Sequence, residues 1–405
     1  MLAATHVPAK SQQSGLSMNT LIHGYVGEHN CVALQFVSKT VRMLYPGKNF
    51  KDKSMCVYPD DKPKFDTWMS KQFVVNLPVF TWARRTLLMP ISKGVWEAAL
   101  AVGNLEVCVW LRDNAPDFPA EKNFCALAAY HGHVHLLQWA RAQNPPYEWD
   151  AKVCSGAALN NRLAVLKWAR SQIPPCPWDE QAPCFAAQGG HLDAIKLVRE
   201  GDDHRCPWNA YVCKNAAYYG RADVLKWVRS QNPPCPWDEG VCSNAAVQGD
   251  LSLLKWLRKQ DPPCPWDAGV CSGAAQKGHL DVLKWARGQE PPCPWDEGVC
   301  CNAALNGHLH VLQWARRNRC EWTADVTGYA ARRGNFEMLQ WARSQNPPCP
   351  WDELVPRYAA ENGDLRMLLW CRTQVSPPCP WDHEVCKTAA SNHPAVLTWL
   401  MDQVP

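Results

Sequence analysis

The apolar positions of this chain repeat. Pro234 to Pro262 reads PCPWDEGVCSNAAVQGDLSLLKWLRKQDP, and Pro263 to Pro291 reads PCPWDAGVCSGAAQKGHLDVLKWARGQEP. A sparse apolar segment with an Ala-Ala pair leads to a glycine. A denser segment of Leu, Val, Trp and Ala follows, and then a proline cluster. The glycine or its substitute falls at Gly103, Gly132, Asn161, Gly190, Gly220, Gly249, Gly278, Gly307, Gly334, Gly363 and His393, at spacings of 27 to 30 residues. Eleven copies thus fill the chain from about Gly94. A fixed period of this size marks an array in which each unit buries its apolar face on its neighbours.

Each unit predicts two helices. Pro236 and Trp237 interrupt any preceding helix, and Asp238 can cap a new one, its side-chain oxygen accepting from a free backbone N–H. Asp150, Asp179, Asn209, Asp267, Asp296, Thr323, Asp352 and Asp382 fill the same position. Trp237 and Cys242 have the spacing of a hydrophobic staple. The first helix is expected from about Glu239 to Gln248, with Ala245 and Ala246 allowing another backbone close, and Gly249 ending it in a left-handed conformation. The second helix is expected from Asp250 or Leu251 to Lys259. In the next copy its apolar face holds Leu280, Val282, Leu283, Trp285 and Ala286, wide enough to touch a neighbour on each side, with Lys284 and Arg287 on the wet side. Tryptophan recurs there at Trp110, Trp139, Trp168, Trp227, Trp256, Trp285, Trp314, Trp341, Trp370 and Trp399, with Leu197 replacing it once. One buried ring cannot offset the entropy of ordering a whole unit, so a single unit is expected to be unfolded and the stack cooperative. The expected fold class is all-α, an α-solenoid of stacked helix–turn–helix repeats with short Pro-rich connectors.

Composition adds limits. The chain has 405 residues and a net charge of +4. Residues 1–90 hold 11 Lys/Arg against 5 Asp/Glu, and the remainder 31 against 33, so the basic excess lies outside the clear array. No dense Lys/Arg run is present, which gives the expectation of no nucleic-acid partner. No apolar run reaches the 18 residues of a membrane span, so no membrane association is expected. The start, MLAATHVPAKSQQSG, lacks the apolar core of a secretory signal. The 21 cysteines then read as reduced thiols in the cytoplasm or nucleus.

The string GVCSGAAQKGHLDVLKWARGQ resembles the ankyrin-repeat family. Ala274-Ala275 and Gly278 to Lys284 carry the likeness, and Ala268 to Cys271 match the family's opening segment less well. The resemblance covers about residues 94–405. The family's unit is about 33 residues. Here Pro-Pro-Cys-Pro-Trp-Asp replaces its longer β-hairpin linker, so shortened or missing fingers are expected. Residues 64–93 are read as a worn further unit, because Val79 to Arg84 echoes the second helix. The array is therefore placed at 64–405, after a disordered stretch at 1–17 and a small helical piece at 18–63. In that piece, Cys31 to Arg42 resembles the second half of an F-box without its Leu-Pro opening. Its two readings are a cap over the first repeat and an F-box-like substrate adaptor for a ubiquitin ligase.

Candidate chemistry is sparse. One set of cysteines precedes the Pro-Trp or Glu-Trp pair (Cys235, Cys264, Cys293) and another lies in the first helix (Cys213, Cys242, Cys271). Zinc sites favour closely spaced Cys pairs, so this spacing reads as small buried thiols. His133, His191, His279 and His308 follow the glycine, where they would cap or pack the second helix. No nucleophile motif, phosphate loop or carboxylate pair is found, and no catalytic residue, cofactor or metal is expected. The positions that vary between units are Lys214, Asn215, Tyr218, Tyr219, Gln248, Gln276, Lys277, Arg332, Arg333, Arg357, Tyr358 and Glu361. On the ankyrin plan they project from the first helices onto the concave face, and Tyr and Arg are enriched at binding hot spots. The resemblance implies a monomeric intracellular scaffold for protein–protein interaction, without enzymatic activity.

Overall fold

The N-cap positions set the frame. In a computed structural model of the chain, the Asp238 carboxylate accepts from the Gly240 amide at 3.1 Å and starts the helix Glu239–Gln248. Asp150, Asp179, Asn209, Asp267, Asp296, Asp352 and Asp382 cap likewise through their side chains. Thr323 does not, its hydroxyl instead donating to Asp325. The structure describes residues 74–86, 91–114, 121–199, 205–373 and 378–402. The N-terminal segments at 1–17 and 18–63, with the F-box-like stretch Cys31 to Arg42, lie outside the described residues.

The chain divides into two compact units between Phe118 and Pro119, inside the predicted array. The first unit holds α1 (Leu77–Thr86), α2 (Lys93–Val102) and α3 (Leu105–Asn114). Here α1 packs on α3, with Phe80 edge-on to Trp110 at 5.1 Å and the Asn104 amide donating to Val75 O at 2.7 Å.

The second unit holds ten helix pairs among its described residues. They are α4 (Glu121–His131) and α5 (Val134–Arg141), α6 (Ala151–Leu159) and α7 (Leu163–Arg170), α8 (Gln181–Gly189) and α9 (Leu192–Arg199), α10 (Ala210–Tyr218) and α11 (Ala222–Arg229), and α12 (Glu239–Gln248) and α13 (Leu251–Arg258). There follow α14 (Ala268–Lys277) and α15 (Leu280–Arg287), α16 (Gly298–Asn306) and α17 (Leu309–Arg317), α18 (Ala324–Arg332) and α19 (Phe336–Arg343), α20 (Leu354–Glu361) and α21 (Leu365–Thr373), and α22 (His383–Ala389) and α23 (Pro394–Asp402). Each first helix packs on the first helix of the next pair and on its own second helix. The unit is thus an all-helical solenoid of stacked hairpins.

Side-chain size explains why the first helices meet so closely. Ala245, Ala246, Ala274, Ala275, Ala303 and Ala304 are fully buried between successive first helices. Larger side chains there would hold the backbones apart. In the second helices, Val282, Leu283 and Ala286 are fully buried, while Leu280 and Trp285 are half-buried. Among the described residues no helix is long and apolar enough to cross a membrane.

Candidate partner-binding face

Each hairpin has two ends, and they are built differently. At the turn end, Gly249, Gly278 and Gly307 have φ of 72°, 79° and 80°, the left-handed region that favours glycine. Asn161, where glycine is missing, takes the same conformation at 54°. The residue after the glycine works in two ways. Asp250, Asn335 and Asp364 cap their own second helix, accepting from the amides of Leu253, Met338 and Met367 at 2.9 to 3.0 Å. His279 and His308 make no such cap, which leaves packing, of the two roles read from the sequence. Instead the Nε2 of His279 reaches back to Val247 O at 3.2 Å, and that of His308 to Gln276 O at 3.2 Å. Arg162 and Arg221 donate through Nε to Tyr130 O and Gln188 O, both at 3.4 Å. These side chains close the carbonyl end of the preceding first helix, one unit away.

The connector end is more uniform. The Cys264 amide donates to Leu257 O at 3.1 Å, and its Sγ lies 3.6 Å from Asp238 O, one unit back. Arg287 is not on the wet side, as its sequence position suggests. Its guanidinium stacks 4.2 Å from the Trp295 ring of the next connector, and its Nη1 donates to Cys293 O at 2.6 Å. Arg229 over Trp237 at 3.7 Å and Arg258 over Trp266 at 4.2 Å repeat this arrangement. Trp237, Trp266 and Trp295 in turn meet Trp256, Trp285 and Trp314 edge-on, at 5.9 to 6.5 Å.

The thiols are packing groups. Cys213, Cys235, Cys242 and Cys264 are fully buried. The Cys213 Sγ lies 4.0 Å from Cys235 O, and the neighbouring Cys235 thiol together with burial pushes the Cys213 thiol well above the ordinary thiol range. Burial alone pushes Cys108 up to about 12. Among the described residues no group of three or more His, Cys, Asp or Glu side chains is placed to hold a metal ion.

The variable positions all lie on first helices or at their C-terminal ends. Tyr218 and Tyr219 are 45% and 42% exposed, large fractions for aromatic side chains, and their rings meet edge-on at 5.0 Å. Lys214 is half-buried, its Nζ 2.8 Å from the Asp238 carboxylate and 5.0 Å from the Tyr211 ring. Asn215 is an internal strut whose amide donates to Cys184 O at 3.1 Å, as Asn244 does to Lys214 O. Gln248, Gln276, Lys277, Arg332, Arg357 and Glu361 are exposed, and Arg332 lies 6.0 Å from the half-buried Tyr358 ring. Arg333 is exposed and donates from Nε to Leu305 O. The structure thus sets Lys214 and Tyr218 on one helix with Tyr219 at its end, and Arg332 of α18 against Tyr358 of α20, beside Arg357. Tyr211, 61% exposed, joins the first group and was missed by sequence reasoning. Its signal was available: Gly240, Gly269 and Gly298 fill the corresponding place in the next three units.

A shallow depression of about 590 Å³ opens beside Arg357 and Glu361, lined also by Glu384 and Val385 of α22.

No family model and no curated protein matches this chain. Among solved structures it is similar to the pentatricopeptide repeat protein PPR10 in complex with an 18-nt psaJ RNA element, at 11% identity and a TM-score of 0.40, over 96% of this chain and 66% of that one. A triple Cys-to-Ser variant of the same protein with the same RNA element gives the same identity, TM-score and coverage. This chain therefore spans just under two thirds of those chains. Both were solved with RNA, which runs against the expectation of no nucleic-acid partner drawn from charge patterning. A TM-score of 0.40 assigns no function to this chain.

Proposed function

We propose that this protein is an intracellular scaffold of ankyrin-like repeats that binds a protein partner on its first-helix face and catalyses no reaction of its own. The observation that carries the reading is Tyr211, Tyr218 and Tyr219, exposed together on a helix whose packed side is as small and apolar as its neighbours'. Exposed tyrosines hold a large apolar surface in few rotamers, which suits recognition more than packing. The ankyrin reading is supported by the left-handed glycine after a first helix that ends Ala-Ala-x-x, and by the stacking of those helices on one another.

The test is site-specific photo-cross-linking in native cells. A benzophenone side chain replaces Tyr219 in one variant and Lys284, on an exposed second-helix position, in another. The expected result is a discrete protein adduct at position 219 and none at 284. Adducts at neither position, or an adduct to RNA alone at 219, would sink the reading.

A further inference from the structure

The first-helix face differs in charge across its width. Along its N-terminal edge lie Asp179, Glu180, Asp238, Glu239, Asp267 and Asp296, and carboxylates continue through later units. Lys152 and Lys214 near that edge each pair with an N-cap carboxylate, at 3.8 and 2.8 Å, and Arg357 and Lys387 hold the register of Lys214 in later units, Lys387 paired with Glu384 at 3.1 Å. Along the C-terminal edge lie Arg162, Arg221, Lys277, Arg332 and Arg333. From Tyr130 to Asn335, the carboxylate in this row of helix ends and turns is Asp250, already held by the Leu253 amide and the Ser252 hydroxyl at 2.9 and 2.6 Å. Asp193, Asp223 and Asp281 follow in the first turn of the second helices, two residues past His191, Arg221 and His279. Arg162, Arg221 and Arg333 engage helix-end carbonyls through Nε, which fixes three guanidinium groups along this edge.

Relief varies along the face as well. The tyrosine ridge on α10 is followed by a low floor. A Cβ on Gly240 would meet the Lys214 stem at 2.7 Å, one on Gly269 the Ser243 hydroxyl at 2.8 Å, and one on Gly298 the Ser272 hydroxyl at 3.3 Å. The Lys214 stem, Ser243 and Ser272 thus each lie against the next unit's glycine. The floor spans α12, α14 and α16, and the ridge of Arg332, Arg357 and Tyr358 on α18 and α20 ends it. Neighbouring helices pack about 8–10 Å apart, so four steps from α10 to α18 cover roughly 32–40 Å. An extended chain of about ten to twelve residues spans that distance.

Resting on the reading above, we propose that this floor binds an extended acidic polypeptide segment of about ten to twelve residues. Its carboxylates lie toward Lys277 and Arg332, and a bulky apolar or prolyl side chain lies on Tyr218 and Tyr219. The carboxylate edge argues for a polypeptide over a nucleic-acid strand. A helix of ten residues is about 15 Å long, so the two edges stand one to two screening lengths apart. A polypeptide can turn its acidic side chains to one edge, whereas a phosphodiester chain carries charge at every step.

The test uses the full-length chain and fluorescence anisotropy. The probe is a fluorescein-labelled pool of twelve-residue peptides with Asp or Glu at alternate positions and random residues elsewhere. The comparison probes are the same pool with Lys in place of the acids, a six-residue acidic pool, and a twelve-nucleotide oligouridylate. Binding of the long acidic pool is expected to exceed that of each comparison probe by about tenfold or more, and to weaken with salt. The pair Lys277→Glu and Arg332→Glu, which leaves the Arg333 cap in place, is expected to weaken it about tenfold or more, as is Tyr218→Ala with Tyr219→Ala. Circular dichroism confirms that both double variants retain their helix. Equal binding of acidic and basic pools, tighter binding of the oligouridylate, or unchanged binding by both folded variants overturns the proposal. A protein adduct at position 219 with no acidic-pool binding overturns this inference alone. Loss of that adduct overturns the wider reading.

Discussion

The joint at Gly278 and the joint at Gly307 look alike in sequence and differ in build. Both glycines are left-handed, with φ of 79° and 80°. Behind Gly278 the ring of His308, from the next unit, occupies the space a Cβ would need, at 2.8 Å. Behind Gly307 nothing lies within 4 Å. The pattern extends through the stack: Gly190 and Gly249 lie under Arg221 and His279, while Gly220 and Gly334 are open, because Asp250 and Asp364 turn forward to cap their own helices. One column of glycines therefore does two jobs. Everywhere it permits a backbone conformation, and at some joints it also makes room for a side chain that ties two units together.

Substitution separates the jobs. Gly278→Ala is expected to cost about 2–3 kcal/mol, from left-handed strain plus displacement of His308, and Gly307→Ala about 1–2 kcal/mol from strain alone. Urea midpoints of the two variants check the difference, and equal losses would contradict it. The coupling is smaller. His308→Ala is expected to cost about 1 kcal/mol in the natural chain and close to nothing beside Gly278→Ala, so a double-mutant cycle returns a non-zero interaction. At a forward-capped joint, Asp250→Ala is expected to cost about 1 kcal/mol, with faster amide exchange at Leu253 and no change at Val247.

Two pH scans sharpen the same contrast. Burial holds the His308 imidazole below its ordinary value, against the Gln276 carbonyl, which raises it, while the nearby His310, His279 and Arg333 add to the lowering. Its contribution is present above the ordinary histidine range and is lost as pH falls through the folded value. Acidification from pH 7 to pH 5 is therefore expected to loosen the Gly278 joint before the joints capped by Asp or Asn, read by local hydrogen exchange. The alkaline scan acts on the connectors of both kinds of joint. Burial pushes the Cys206 and Cys349 thiols from 9.0 to about 12. Stability from these thiols is complete below pH 9 and is lost as pH rises toward 12, so both joint types are expected to weaken together.

The period, the N-caps and the turn glycines were legible because they are local. Asp238 caps an amide two residues on, and Gly249 sets its own φ. What was missed depends on neighbours one unit away. Arg287 reads as a wet basic residue until Trp295 of the next connector stacks on it. His308 reads as a residue that caps or packs its own second helix until its ring is seen reaching 32 residues back to Gln276. Asn215 varies between units and so resembled a contact residue, yet its amide is tied to Cys184 O. Variation alone does not separate a free side chain from a strut to the adjacent repeat, whereas an exposed aromatic such as Tyr211, in a column of glycines, would have.

The claim beneath all of this is that a helix pair has no stability apart from its neighbours. Far-UV circular dichroism of the two-repeat peptide Pro234–Pro291 beside the ten-pair unit Pro119–Pro405 tests it directly. The account predicts a coil spectrum for the peptide and a cooperative helical melt for the long unit. A helical peptide that melts cooperatively by itself would contradict it.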